Sequence, residues 1–173
     1  MNQPLEDRYR RTMSFMQRFV EKSDTILDLG VSNQFSDLLL ANGFLVSNTL
    51  GEDLDIDNDI EKKYGSFDVV TAFEIFEHLL SPFELLRKLP SAKLIATVPL
   101  RLWFAKAYKN HTNPRDRHYH EFEEWQFEWL LEKAGWRIMA SEKWISKSDK
   151  IGFRPFLRSI TPRYYAVYAE RSS

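Results

Sequence analysis

Thr25-Ile26-Leu27-Asp28-Leu29-Gly30 and, further along, Phe67-Asp68-Val69-Val70-Thr71-Ala72-Phe73-Glu74-Ile75-Phe76-Glu77-His78-Leu79 decide the fold. Each carries a short apolar run that ends on an acid, Asp28 in the first and Glu74 in the second. Apolar runs of this length, bounded by turn residues, read as buried strands. Two such strands in one sheet bring their carboxyl ends together, where open α/β sheets bind ligands. The pair predicts one α/β domain with a nucleotide-type cofactor at the tips of its central strands.

The flanking sequence supports this. Leu5, Tyr9, Met13, Met16 and Val20 fall at helical spacing and predict an amphipathic helix over 5–22. A strand over 25–29, a helix from about 34 to 42 stopped by Gly43, and a strand over 44–50 follow. Glu52 to Asp59 reads as a short third strand or a loop. The strand at 67–73 is apolar on both faces except for Asp68 and Thr71, which suits a central parallel strand. Ser81-Pro82-Phe83-Glu84 reads as a capping box opening a helix that ends before Pro90. Lys93 to Val98 reads as the next strand. Residues 100–120 form an aromatic, basic connection, partly helical around Trp103 to Tyr108. Phe122, Trp125, Trp129 and Leu130 define a helix ending at Gly135. Trp136 to Trp144 and Tyr164 to Glu170 read as antiparallel neighbours. Strand–helix alternation from 25 to 98 argues for βαβ units.

Bulk composition narrows the classes. The chain has 173 residues, with 43% hydrophobic and 28% charged, which suits one globular domain spanning 1–173. The formal net charge of -1 attracts neither nucleic acid nor an anionic membrane. With no cysteine, a disulfide framework, a thiolate nucleophile and a Cys-based zinc site are excluded. Met1 to Arg8 lacks the apolar core of a signal peptide, and no uncharged apolar run is long enough to span a bilayer. A cytoplasmic location is expected.

Glu74-Ile75-Phe76-Glu77-His78, placed after such a strand, resembles the signature of the class I S-adenosylmethionine-dependent methyltransferases, in their small-molecule group with Glu-x-x-Glu-His after the fourth strand. The similarity runs from Ile26 to Gly135. It includes Phe67 to Val70, Thr97-Val98-Pro99, and His120 ahead of a helix ending Lys133-Ala134-Gly135-Trp136. The resemblance implies a Rossmann-like α/β fold: a mostly parallel seven-stranded sheet with helices on both faces. It implies S-adenosylmethionine as cofactor and methyl transfer to oxygen or nitrogen of a small-molecule acceptor.

The resemblance also implies site residues. Asp28 and Gly30 stand where the family has an acid and the first glycine of Gly-x-Gly-x-Gly. Ser32 and Gln34 replace the later glycines, and Ser32 offers a hydroxyl instead. Leu50 falls where an acid grips the ribose hydroxyls, so Glu52, or more weakly Thr49, would have to serve. Asp57, with Asp55 next, matches the acid that contacts adenine. Glu74 falls at the methionine end. His78 is the first candidate for a base and His120 the second, since a base is needed only where the acceptor must lose a proton.

Structural readings stand beside these. Asp28 could cap a neighbouring helix, and His78 could bond a backbone carbonyl and shape the turn. His118-Tyr119-His120-Glu121 has no third ligand at motif spacing, so no metal is expected. The Trp and Phe stripe from Phe122 to Trp136 suits core packing. Lys143, Lys147, Lys150, Arg154, Arg158, Arg163 and Arg171, with Lys106, Arg115 and neighbouring aromatics, suggest a basic rim suited to an anionic small-molecule acceptor. The departures at Ser32, Gln34 and Leu50 keep a second reading open: a methyltransferase-fold protein acting as a non-catalytic binding or regulatory subunit.

Overall fold

The computed structural model describes residues 3–146 and 152–172. Its chain order is α1 (Gln3–Met16), β1 (Thr25–Asp28), α2 (Gln34–Ala41), β2 (Leu45–Asn48), α3 (Ile60–Tyr64), β3 (Val69–Phe73), α4 (Pro82–Arg87), β4 (Lys93–Pro99), α5 (Glu124–Lys133), β5 (Trp136–Ile145), α6 (Phe153–Ile160) and β6 (Pro162–Arg171). Single 3-10 turns lie at Phe76–His78 and Pro114–Asp116.

One six-stranded sheet runs in the order β2-β1-β3-β4-β6-β5. The first four strands are parallel, and β6 pairs antiparallel with both β4 and β5. Register places Asp28 between Asn48 and Thr71, and Phe73 opposite Thr97. This is a Rossmann-like architecture with helices on both faces.

Strand alternation sends successive residues to opposite faces. Ile26, Val69 and Ile95 join Phe15 and Met16 of α1 and Phe35 and Leu39 of α2 in one core. Leu27, Val70, Leu94 and Ala96 join Leu85, Leu86, Phe127 and Leu131 in the other. Each large apolar side chain fully buried here contributes about 2–3 kcal/mol. Trp136 is buried beneath the second core and donates its indole N–H to the Leu86 carbonyl at 3.0 Å.

Four local expectations are corrected. The sheet has six strands among the described residues, because the acidic stretch 52–59 turns instead of pairing: the Asp53 carbonyl accepts from the Ile56 and Asp57 amides at 3.0 and 2.7 Å. Helix α1 ends at Met16, and turns carry the chain through residue 19. Ser81 makes no side-chain cap; its amide and that of Leu80 are taken by the Asp55 carboxylate at 2.7 and 2.9 Å. Trp103 to Tyr108 is irregular; α6 lies between the last two strands. Lys147, Asp149 and Lys150 of the basic tail lie outside the described residues.

Candidate active site

The carboxyl ends of β1, β3 and β4 frame a cavity of ≈ 740 Å³, within the size range of small-molecule sites. Asp28, Gly30, Glu52, Glu74 and His78 line it. Ser32, Thr49, Asp57 and His120 do not. Asp53 and Asp55 line it in place of Asp57.

The β1 end is tied internally. Asp28 is buried, and its carboxylate accepts from the Thr71 hydroxyl at 2.7 Å, the Asn48 amide at 3.0 Å and the Ser36 hydroxyl at 3.4 Å. Burial pushes its carboxyl up to about 6, although the Thr71, Asn48 and Ser36 donors pull the other way. Gly30 has φ 106, a left-handed conformation that favours glycine, and a Cβ there would meet Ile75 Cδ1 at 3.3 Å. Thr49 is a positioning residue: its hydroxyl accepts from the Gly30 amide at 2.6 Å. Ser32 is exposed on the loop. Its neighbour Asn33 caps α2, accepting from the Phe35 and Ser36 amides at 2.8 and 3.3 Å. Ser36 accepts from the Asn33 amide in return at 3.3 Å, which completes a capping box.

The β2 side supplies Glu52. Its Oε1 accepts from the Tyr64 hydroxyl at 2.6 Å and the Lys63 ammonium at 2.9 Å. Its Oε2 is buried without a partner. Burial works against its charge, but the Tyr64 hydroxyl, the Glu52 amide and Lys63 prevail and hold the carboxyl at about 2. Leu50, at the position the ribose acid takes in the family, is 78% exposed. Gly51 lets the two loops approach: a Cβ on it would stand 2.7 Å from Val31 Cγ1. Asp55 lines the cavity but is committed to the Leu80 and Ser81 amides.

The β3 end is different in kind. Glu74 adopts φ 58, rare for a side-chain-bearing residue. Its Oε1 accepts from the Thr97 hydroxyl at 3.1 Å, and its Oε2 faces Arg8 at 3.6 Å. Burial raises its carboxyl, against the pull of Arg8, Thr97 and Arg163. Glu77 is buried, with Oε2 unpartnered, and burial together with the neighbouring Glu74 charge lifts its carboxyl well above the usual range. Its backbone carbonyl accepts from the Tyr119 and His120 amides at 2.8 and 3.2 Å.

His78 Nδ1 lies 3.0 Å from the Arg117 carbonyl. A carbonyl only accepts, so Nδ1 carries a proton, and in the neutral ring Nε2 would hold the lone pair. Nε2 stands 3.7 Å from Glu77 Oε1. His120 stacks on Phe122 at 5.3 Å between centroids and faces a separate surface hollow with Ser81 and Phe83. The histidine beside His78 is instead His118, with ring centroids 4.9 Å apart. Glu77, His78 and His118 each bring one donor atom within 4.8 Å of the others, so a divalent cation would find three ligands there.

Arg8, Tyr9 and Thr12 of α1, and Pro114, Arg115 and Tyr119 of the long connection, complete the cavity wall. The helical spacing of α1 marks its apolar face but not Arg8, which lies beside that face and bonds across it to Glu74. The 100–120 connection carries no periodicity from which Arg115 and Tyr119 could be selected.

A family model described as a methyltransferase domain matches residues 5–141. The chain belongs to that methyltransferase family. A search against curated protein sequences found no match. Among solved structures, the chain is similar to the Burkholderia thailandensis 1,6-didemethyltoxoflavin-N1-methyltransferase, solved with 1,6-didemethyltoxoflavin and S-adenosylhomocysteine bound. That likeness has TM-score 0.66 at 17% identity and covers 95% of this chain and 78% of that one. It is also similar to an S-adenosylmethionine-dependent methyltransferase from Archaeoglobus fulgidus, at TM-score 0.64 and 19% identity, covering 96% and 94%. The [4+2]-cyclase SpnF matches at TM-score 0.60 and 14% identity, covering 95% and 80%. At these identities the structures establish the class I methyltransferase fold. No helix among the described residues is long and apolar enough to cross a membrane.

Proposed function

We propose that the protein transfers a methyl group from S-adenosylmethionine to an oxygen or nitrogen of a small-molecule acceptor. The observation that carries this reading is the cavity at the tips of β1, β3 and β4, lined by Glu52, one of whose carboxylate oxygens is buried without a hydrogen-bond partner. An orphaned buried acceptor is costly, and a ligand hydroxyl that donates to it removes the cost. A ribose diol has that chemistry.

Glu52 would accept from the ribose hydroxyls. Leu54, Ile56 and Leu79, which also line the cavity, would bracket the aromatic base. Glu74 faces the methionine end. When bound, the cofactor supplies an activated methyl on a sulfonium sulfur. The chain's own work is alignment, exclusion of water and proton removal. His78 takes the acceptor's proton on Nε2, because Nδ1 is held protonated by the Arg117 carbonyl. Glu77, whose carboxyl burial raises well above the usual range, borders His78 on the other side.

One observation favours a second reading, a non-catalytic binding or regulatory subunit. The Phe35 and Ser36 amides at the start of α2 are already taken by Asn33, where the family's glycine loop would expose them to a cofactor carboxylate. The match to a cyclase also shows that this fold hosts more than one chemistry. Titration with S-adenosylhomocysteine, followed calorimetrically and by thermal shift, separates the readings. Saturable binding with a raised melting temperature is expected, since a ligand of the native state stabilises it. No saturable binding up to millimolar cofactor rejects the enzyme.

A further inference from the structure

A second cavity, of ≈ 290 Å³, lies between the 102–108 segment, α6 and the start of β6. Lys106, Arg158 and Arg163 line it, together with the hydroxyl-bearing Ser146 and Thr161. Several cations elsewhere on this nearly neutral chain stand against carboxylates, among them Arg18 on Glu142, Lys63 on Glu52, Arg101 on Glu123 and Lys143 on Glu124. Those of this cavity do not. The Lys106 and Arg158 side chains have no hydrogen-bond or ion-pair partner among the described residues. Arg163 donates to the Leu100 carbonyl at 2.7 Å and makes no ion pair among the described residues. The one acid in the lining, Glu121, already accepts from the Tyr108 amide at 2.8 Å and faces His118 at 3.4 Å.

The position of this hollow is as telling as its charge. Tyr164 lines it and lies under the Arg8 guanidinium, 5.6 Å from ring centre to Cζ. Arg8 lines the larger cavity and pairs with Glu74 there. Arg163 is also near enough to Glu74 and Glu77 to act on both carboxyls. The Arg8–Tyr164 contact therefore separates the two cavities at the end where the methyl group would be delivered.

We infer that this second cavity binds a phosphoryl group, the anionic end of a phosphorylated small-molecule acceptor whose other end reaches past Arg8 and Tyr164 toward the larger cavity. Three cations matched to one small site suit a doubly charged group better than a single carboxylate, and arginine with hydroxyl donors is the usual recognition set for phosphate oxygens. The identity of the ligand as acceptor rests on the methyl-transfer reading; the binding of phosphate does not.

The test uses the full chain in a phosphate-free buffer, with inorganic phosphate as probe, followed by phosphorus NMR line broadening. Saturable binding is expected, roughly tenfold weaker in Lys106→Ala and in Arg158→Ala, as the loss of one charge-assisted contact requires. Both residues are exposed, so neither substitution threatens folding. Arg137→Ala, on the exposed face of β5, should bind phosphate like the parent. S-adenosylhomocysteine titrated into the same variants should bind unchanged. Phosphate binding that is absent, or equally weakened by Arg137→Ala, overturns the site. Acetate that displaces phosphate at equal concentration overturns the phosphoryl assignment. Phosphate binding in a protein that ignores S-adenosylhomocysteine keeps the anion site and removes methyl transfer; the reverse result does the opposite.

Discussion

The end of β1 and the end of β3 are direct neighbours in one sheet, yet they treat buried polar atoms in opposite ways. At β1 every acceptor is used: Asp28 takes Thr71, Asn48 and Ser36, Thr49 takes the Gly30 amide, and Asn33 takes two helix amides. Beyond β3 the buried atoms Glu77 Oε2 and His120 Nε2 have no hydrogen-bond partner, and across the cavity neither does Glu52 Oε2. An unsatisfied buried polar atom costs on the order of 1–3 kcal/mol. Of these residues only Glu52 lines the cavity, so the unspent hydrogen bond nearest a ligand there is its own. The difference teaches that Asp28 organises the site, whereas Glu52 and the His78 neighbourhood are what remains to recognise something.

The largest effect expected from that contrast is on stability against pH. The Asp28 carboxyl is raised to about 6, so the folded state holds a proton that the unfolded chain gives up near 4. Its contribution is fully present below the unfolded value and is lost as pH rises through the folded one. For a shift of this size the loss is at most about 3 kcal/mol between pH 4 and 6. Glu52 has the opposite sign. Its folded value is depressed to about 2, so its contribution is present above the unfolded value and disappears as pH falls toward 2. Urea unfolding across pH 2–8 should therefore show Asp28→Asn flattening the limb between pH 4 and 6, and Glu52→Gln flattening the limb below. The buried Glu74 and Glu77 carboxyls are raised too, so the limb should shrink rather than vanish; a limb left unchanged by Asp28→Asn would mean that this buried acid is not titrating there.

The next effect probes the open side. Glu52→Ala removes the one orphaned carboxylate oxygen at the β2 end of the cavity. If that oxygen accepts from the ribose, affinity for S-adenosylhomocysteine falls by about 2 kcal/mol, roughly thirtyfold, as for a hydrogen bond to a charged group. Asp57→Ala, on an exposed residue outside the cavity, should leave it unchanged. Calorimetric titration of the two variants side by side checks this. Equal losses would place recognition in the acidic loop as a whole rather than in Glu52.

How much of this contrast was readable in the chain follows from the range of the interactions involved. The runs ending at Asp28 and Glu74 declared central strands, because burial on both faces leaves a continuous apolar signature, and the observed pairing of β1, β3 and β4 follows it. The antiparallel pairing of the last two strands was equally legible. Decisions taken by one side chain competing across the fold were not. Ser81 carried the sequence of a capping box, but Asp55, distant in sequence, took its amide. Asn33 and Ser36 formed a box that glycine counting over residues 30–34 passes over, because the family frame looks there for missing side chains rather than for useful ones. His118 and His120 are near-identical in sequence context. Only the path of the 114–120 segment turns the first toward His78 and the second toward Phe122.

The smallest effect is also the one that bears most directly on whether the closed end still admits a cofactor. Asn33→Ala removes the side chain that caps α2. Loss of an N-cap side chain costs about 1 kcal/mol, which for a chain of this length lowers the melting temperature by roughly 2–4 °C. The same substitution frees the Phe35 and Ser36 amides. Helix N-terminal amides attract anions, so a cofactor carboxylate meant for that position would bind more tightly once the internal competitor is gone. We expect the melting temperature to fall and affinity for S-adenosylhomocysteine to stay within about twofold, because Asp28, Glu52 and Glu74 lie on strand ends and loops that Asn33 does not hold. A gain in affinity alongside the loss of stability would show the Asn33 cap acting as an inhibitor of its own site, and would make the closed β1 end a part of recognition after all.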